Sequence, residues 1–279
     1  MKETFRILRI LIQKEFRDAV RSRWLLCFGG IFILLALGLS WAGSLTASMG
    51  GYSGFGRTTA ALLNLVMLIV PLLALALGSM SVVHEREKGT LSILLALPVS
   101  ATEVFWAKFA GLSAALFISL TLAFGVAGLG LALSGGLRDG THFLKSFLVT
   151  LPLAWVSLAL GFWITSFSKK TAAAVGLIFS VWLVLVLGGD LGLLGSSLAM
   201  KIRPEVLLAT TLLNPMSLYR LAAIDLLGAH LEMLGPAGHC AQDILGAWLL
   251  PAAISGMILW TIVLMAVSYR IYIRDPLRT

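Results

Sequence analysis

Six long apolar runs, separated by shorter polar segments, divide the chain. None of them contains Asp, Glu, Lys, Arg or His, and each is close to the roughly 20 residues that a helix needs to cross a bilayer core. Because a charge at mid-bilayer costs about 2.5–3.5 kcal/mol, charge-free runs of this length predict transmembrane helices. We predict an all-α membrane protein with six spans, at residues 24–42, 62–83, 109–133, 147–167, 172–187 and 248–267.

The first 23 residues have a different pattern, with apolar and basic positions alternating at helical spacing. The apolar stripe predicts an amphipathic helix, formed by Phe5, Leu8, Ile12, Phe16 and Ala19. A helix of this kind lies at the membrane surface on anionic lipid, and it could also flank a soluble partner. The alternative is a solvated helix that leads into the first span.

Residues 85–108, called the signature segment here, form an island of charge between the second and third spans. Because Pro98 cannot continue a helix, we predict two short elements. The first is an interfacial helix over residues 90–97. The second begins at Ser100, because Ser100 and Glu103 have the spacing of a capping box.

The basic residues predict the orientation of the spans. With both termini on one side, that side carries fifteen Lys and Arg residues and the other side carries six. The positive-inside rule therefore predicts cytoplasmic termini and a cytoplasmic signature segment.

The long loop after the fifth span, residues 188–247, predicts structure of its own on the outer side. Pro204 predicts the start of one helix, which ends at the Asn214-Pro215 pair, and a second helix is predicted over residues 217–227 with Gly228 as its stop. We expect a small periplasmic helical cap. The chain then divides into residues 1–23, the N-terminal helix; 24–187, spans one to five with the signature segment; 188–247, the periplasmic loop; and 248–279, the last span and a basic tail.

Composition agrees with a membrane protein and excludes several functions. The chain is 59% hydrophobic and only 12% charged, against about 25% charged in soluble domains. The formal charge of +8 follows the positive-inside pattern, so we predict no nucleic-acid partner. The sequence has no phosphate-binding G-x-x-x-x-G-K-[ST] motif, no H-E-x-x-H and no G-x-S-x-G. We therefore predict that the chain is not an enzyme and does not hydrolyse ATP itself.

The signature segment resembles the corresponding segment of ABC-2 type transporter permeases, through Glu-x-Glu-x-Gly-Thr-Leu at residues 85–91, Pro-Val-Ser at 98–100 and the later Lys108. The resemblance implies that this segment docks into a separate ATPase subunit, which binds ATP and Mg²⁺. In our interpretation, Leu91, Leu94 and Leu95 form the buried centre of the contact with the ATPase. The charges of Glu85, Glu87 and Lys108 form its polar rim. The predicted ATPase-coupling residues are Glu85, Glu87, Gly89, Thr90, Leu91, Leu94, Leu95, Pro98 and Lys108.

A second set of motifs resembles the permeases of ABC systems that help to mature the copper sites of nitrous oxide reductase. They are Val181-Trp182, Asp190, Pro204-Glu205, Leu213-Asn214-Pro215 and Tyr219-Arg220-Leu221. The resemblance implies a permease homodimer in a bacterial inner membrane, a cytoplasmic ATPase dimer and a periplasmic β-helical protein. We assign contact with the periplasmic partner to Asp190, Asn214, Pro215, Tyr219 and Arg220.

Two other functions stay open at this point. One is an ABC-2 exporter of lipids, drugs or other apolar solutes, which charge-free spans would also suit. The other is a secondary transporter or a membrane enzyme, which the sequence disfavours because it has no evident inverted repeat or catalytic cluster.

Soft ligands in the outer loop raise the question of a copper site, because thiolate, thioether and imidazole groups bind copper. The candidates are His230, Met233, His239 and Cys240. Scattered His and Met residues in a loop are more often surface or packing residues. We therefore predict no cofactor bound by this chain and a link to copper only through the pathway.

Overall fold

The computed structural model describes residues 2–47, 54–95, 99–133, 140–198, 211–226 and 246–274. All regular secondary structure in these residues is helical. The helices are α1 (Lys2–Val20), α2 (Arg23–Ala47), α3 (Gly54–Glu87), α4 (Thr90–Leu95), α5 (Ala101–Leu133), α6 (Gly140–Ile164), α7 (Thr171–Leu198), α8 (Pro215–Leu226) and α9 (Leu249–Arg274), with a 3₁₀ turn at Gly246–Trp248 before α9.

Four of the six predicted apolar runs lie entirely within helices. The run at 147–167 extends three residues beyond α6, which ends at Ile164, and the run at 248–267 begins in the 3₁₀ turn before α9. Among the described residues, five helices are long and apolar enough to cross a membrane. The bent pair α1 and α2 makes a sixth if it is counted as one span. The prediction of an all-helical protein is therefore confirmed for the described residues, with five to six candidate membrane spans.

Helix α3 lies at the centre of the bundle, where it packs against α2, α6 and α7. Its crossing with α6 is close because glycines face each other. A Cβ built on Gly78 would lie 2.6 Å from the carbonyl oxygen of Leu158, and one on Gly161 would lie 2.6 Å from that of Leu75. Small residues of this kind allow the backbones of two membrane helices to approach.

A hydrogen bond joins α7 to α3. The indole Nε1 of Trp182 donates a hydrogen bond of 3.0 Å to the carbonyl oxygen of Leu68. Leu68 lies in the turn before Pro71, whose ring disturbs helical hydrogen bonding there. The bond fixes α7 beside this turn of α3.

Helices α1 and α2 meet at a bend of 57°. The bend occurs where Ser22 ends one helix and caps the next: its backbone N–H donates to the carbonyl of Ala19 at 3.0 Å, and its Oγ accepts from the N–H of Leu25 at 3.1 Å. The predicted N-terminal helix is therefore present, and it turns sharply before the first apolar run.

The structure changes the position expected for the second loop helix, α8. Its N-terminus is capped by Asn214, whose Oδ1 accepts a hydrogen bond of 3.0 Å from the N–H of Met216. Instead of lying on the bundle as an outer cap, α8 packs into it against α6 and α9. The side chains of Met216, Leu218 and Tyr219 belong to the main hydrophobic core. The first predicted loop helix lies mostly outside the described residues.

Candidate coupling site

The signature segment begins with a sharp reversal of the chain at the end of α3. Gly89 has a φ of +71°, a conformation that favours glycine, and its N–H donates to the carbonyl of Arg86 at 3.1 Å. Helix α4 then starts at Thr90, whose hydroxyl donates to the carbonyl of Glu85 at 3.2 Å. The position of α4 is therefore fixed to the last turn of α3.

The start of α5 is the predicted capping box. The backbone N–H of Ser100 donates to Glu103 Oε2 at 2.8 Å, and the N–H of Glu103 donates to Ser100 Oγ at 3.2 Å. This prediction is confirmed, and α4 is thus connected to a fixed helix end on both sides.

Glu85 is the first of three consecutive charged residues that bind other helices. Its carboxylate lies 2.8 Å from Lys108 Nζ of α5 and 2.8 Å from Lys14 Nζ of α1. Both lysines also contact Glu15, at 3.0 Å from Lys108 and 2.9 Å from Lys14. Two lysines and two glutamates thus alternate in a network that joins α1, α3 and α5. We call these four residues the ion network.

The network is mostly removed from water. Lys108 has a side-chain exposure of 1% and Glu15 of 6%, whereas Glu85 is at 20% and Lys14 at 41%. The Lys108 ammonium makes a third contact, a hydrogen bond of 3.2 Å to the carbonyl of Ser81. A buried ion needs several partners of this kind to offset its loss of hydration.

Arg86 points to the opposite side of α3 and binds the end of α6. Its Nη1 donates to the carbonyl oxygens of Thr165 at 2.8 Å and Ser168 at 3.1 Å. Carbonyls at a helix C-terminus carry partial negative charge, so a guanidinium stabilises them.

Glu87 binds the start of α7. Its carboxylate accepts hydrogen bonds from the backbone N–H of Thr171, at 2.9 Å, and from the Thr171 hydroxyl. A carboxylate at a helix N-terminus satisfies an N–H group and is attracted by the helix dipole. Residues 85–87 therefore connect α3 to four other helices at what we call the signature end of the bundle.

An aromatic cluster brings the last helix to the same end. The ring of Phe105, on α5, lies 5.5 Å from that of Tyr269 and 5.4 Å from that of Tyr272, both on α9. The Tyr269 hydroxyl is also 3.2 Å from the hydroxyl of Thr102. Sequence analysis assigned the N-terminal helix, the signature segment and the end of the last span to one side of the membrane. In the structure, these segments meet at the signature end of the bundle.

Glu15 was missed as a functional residue by the sequence analysis. It belongs to the face of α1 that packs on α5, and Gly111 allows this contact: a Cβ on Gly111 would lie 2.7 Å from Glu15 Cβ and 2.9 Å from the carbonyl of Ile12. One feature of the sequence could have indicated its role. Glu15 is four residues from both Leu11 and Ala19, so its carboxylate lies on an otherwise apolar face of α1.

The structure changes the roles expected for several coupling residues. Lys108 and Glu85 were predicted to be rim charges, but their charged groups pair inside the chain. Leu91, predicted to be an anchor for a partner, is fully buried within this chain. Leu94 is half-buried and packs against the cluster of Leu11, Val104 and Ala107.

The other coupling residues have mixed positions. Glu87, Gly89 and Thr90 are exposed. The side chain of Leu95 and all of Pro98 lie outside the described residues.

The predicted outer contacts are mostly internal. Pro215 and Tyr219 are buried, and Asn214 Nδ2 donates to the carbonyl of Leu185 on α7 at 2.8 Å. Arg220 is half-buried, and the side chain of Asp190 is outside the described residues. Contact of Pro215 or Tyr219 with a periplasmic partner therefore does not fit this conformation.

A hydrogen bond joins the segment just before α8 to the last span. Trp260, well inside α9, donates from its indole Nε1 to the carbonyl of Leu212 at 3.1 Å. Partial burial also raises the pKa of the Asp225 carboxyl near the end of α8.

The copper candidates His230, Met233, His239 and Cys240 lie outside the described residues. Within the residues that the structure describes, no group of three or more His, Cys, Asp or Glu side chains could hold a metal ion.

Long apolar helices whose charged ends interlock beside a short helix are the architecture of a multi-pass membrane protein. The chain belongs to the ABC-2 family of transporter proteins, whose family profile matches residues 9–277. It is similar to a protein described as "Probable ABC transporter permease protein NosY" from Stutzerimonas stutzeri, with 33% identity over 95% of this chain and 97% of that protein. A protein with the same description from Pseudomonas aeruginosa is 30% identical over 96% of this chain and 98% of its own length. An ABC permease implies an ATPase partner.

Proposed function

We propose that this chain is the permease subunit of an ABC transporter that serves maturation of the copper sites of nitrous oxide reductase. A separate cytoplasmic ATPase dimer supplies the energy, and a homodimer of this chain transmits it across the inner membrane to a periplasmic β-helical protein. The similarity to the two NosY permeases over nearly the full length supports this assignment. The output is either transport of a metal or sulfur species or a mechanical change in the periplasmic partner.

The observation that carries the coupling mechanism is the ion network beside α4. Lys108 pairs with Glu15 at 3.0 Å and with Glu85 at 2.8 Å. Removing one partner from a buried ion pair leaves an uncompensated charge, which costs about 3–5 kcal/mol. The ends of α1, α3 and α5 therefore move together when any one of them is displaced.

Helix α4 is where the ATPase acts in this mechanism. It is attached to α3 through Gly89 and connects to the capped start of α5, so a displacement of α4 moves both helices. Through the ion network, the same displacement also reaches α1. Such a rigid connection can bias a two-state bundle, provided that the partner contacts the two states differently.

We propose that the ATPase contacts the exposed neighbours of the ion network rather than the network itself. Glu87, Lys88 and Thr90 are exposed at the turn into α4. Leu91 and Leu94 instead pack α4 against the bundle. A force that the ATPase exerts on α4 therefore moves the whole helix. Leu94→Asp should therefore weaken ATPase binding by unseating α4 rather than by removing a direct contact.

Co-expression of the full chain with its ATPase tests the proposal. Wild-type chain should co-purify with the ATPase, and cells that lack the chain should contain nitrous oxide reductase with incomplete copper sites. Leu94→Asp should reduce both ATPase recovery and copper content, and the exposed control Lys169→Gln should reduce neither. Full copper content in cells without the chain would refute the assignment to this pathway, and purified chain that never recruits an ATPase would refute the ABC mechanism.

A further inference from the structure

A cavity of about 690 Å³ lies beside the ion network, in the angle between α1 and α2. Its walls come from the α1–α2 bend, from α3 and α5, and from the start of α7. This volume is within the range of about 300–1,000 Å³ that is common for small-molecule sites.

The cavity changes from apolar to charged along its length. Its lining on α3 extends from Ala76 through Met80 to Glu85, a rise of about 14 Å in a helix, and Lys88 lines it just beyond the end of α3. Trp24 of α2 contributes an apolar wall. At the Lys88 end, the lining is charged. A ligand that fits both ends must itself be amphipathic.

The charges at the polar end have both signs. Glu15 and Glu85 line the cavity, but lysines of the ion network already balance them. The remaining charged side chains in the lining are Arg23, Lys88 and Asp18, and the Asp18 carboxylate is 61% exposed and lies 3.9 Å from Lys14 Nζ. Arg and Lys suit a phosphate group, and a carboxylate suits an ammonium group.

We infer that this cavity binds a phospholipid with an amine headgroup, of the phosphatidylethanolamine type, from the membrane leaflet at the signature end. The phosphate lies between Arg23 and Lys88, the amine faces Asp18, and one acyl chain lies against Trp24 and Ala76. The inference does not depend on the transported species. A bound lipid would fill the space between the bend and α3, and so would support the angle between α1 and α2.

A retention experiment tests the headgroup contacts. The full chain, purified with its ATPase in detergent, is incubated with dioleoylphosphatidylethanolamine, and bound lipid is counted by native mass spectrometry. The variant Arg23→Gln/Lys88→Gln should bind this lipid about tenfold more weakly, which corresponds to about 1.4 kcal/mol. Arg17→Gln/Arg21→Gln is the matched control, because these exposed basic residues are near the bend but do not line the cavity.

Two further measurements separate the alternatives. Dioleoylphosphatidylglycerol, which has the phosphate but no amine, should bind more weakly than the ethanolamine lipid, and Asp18→Asn should remove that difference. A photo-crosslinking residue at position 80 should capture lipid. Equal lipid retention in the cavity variant and its control, or crosslinking of position 80 to a second copy of the chain, would overturn the inference. ATPase recovery in the same preparations reports separately on the proposed function.

Discussion

Lys108 Nζ lies 3.0 Å from Glu15 Oε1, although 93 residues separate the two in sequence. This contact joins the N-terminal helix to α5 inside the protein, next to the segment proposed to receive the force of the ATPase. The resemblance to ABC-2 permeases suggested that Lys108 takes part in coupling. The structure gives it an internal partner, and this partner is the basis of the predictions that follow.

Charge balance predicts how variants of the ion network affect stability. Lys108→Met leaves two carboxylates with only Lys14, and should destabilise the protein by about 3–5 kcal/mol. Glu15→Leu should also destabilise it, because two lysines then share Glu85. The double variant Glu15→Leu/Lys108→Met restores balance through the Lys14–Glu85 pair, which is 2.8 Å apart.

Thermal unfolding of the purified chain checks this double-mutant cycle. The double variant should be at least as stable as the more stable of the two single variants. The losses of stability in the two single variants would then not be additive. Lys169→Gln, on an exposed side chain, is the control and should have no effect. Additive losses would contradict direct pairing of Lys108 with Glu15.

Gly111 should be required for docking of α1. A Cβ at this position would lie 2.7 Å from Glu15 Cβ and 2.9 Å from the Ile12 carbonyl, so Gly111→Ala must push α1 away. Spin labels at exposed positions on α1 and α5 should report a longer or broader distance. Gly125→Ala on the same helix is the control, because nothing lies within 4 Å of its Cβ position. An unchanged distance in Gly111→Ala would contradict the described packing.

The crossing of α3 and α6 should be equally intolerant of added volume. Gly161→Ala places a Cβ 2.6 Å from the Leu75 carbonyl and 3.0 Å from Gly78 Cα, both of them backbone atoms. We expect a lower yield of folded protein, measured by size-exclusion chromatography in detergent. Gly176→Ala, where the added Cβ meets nothing, should give the wild-type yield. Equal yields from the two variants would argue against the close crossing.

Asn214 should hold α8 in the bundle. It donates to the Leu185 carbonyl on α7 and caps α8 through Met216. Asn214→Ala removes both bonds, and loss of the cap alone typically costs about 1 kcal/mol. Hydrogen exchange in α8 should accelerate, while exchange in α4 serves as the internal reference. Unchanged protection of α8 would place its anchor elsewhere.

Sequence patterns predicted the features that depend on residues close together in the sequence. The apolar runs located the spans, because length and hydropathy decide whether a helix can cross a membrane. The Ser100 and Glu103 spacing predicted a capping box that the structure contains. The helix over residues 217–227 was also found, although it begins at Pro215 because Asn214 caps it.

The features that depend on packing between distant helices were not predicted. Gly78 and Gly161 resemble many other glycines in the apolar runs, and only the crossing of α3 and α6 distinguishes them. Tyr219 was assigned to an outer contact from the resemblance to the copper-maturation permeases, but α8 packs it into the core. Glu85 and Lys108 were recognised as important, yet their partner Glu15 could be assigned only once α1 was placed on α5.

The most direct test of the coupling mechanism uses the charge-balanced double variant, Glu15→Leu/Lys108→Met, in the complex with its ATPase. Copper incorporated into nitrous oxide reductase is measured in cells, and ATP hydrolysis is measured with the purified complex. The mechanism predicts a folded complex that hydrolyses ATP but supports little copper incorporation, because Lys108 no longer joins α5 to α1 and α3. A folded double variant with wild-type copper incorporation would contradict the role of the ion network in coupling.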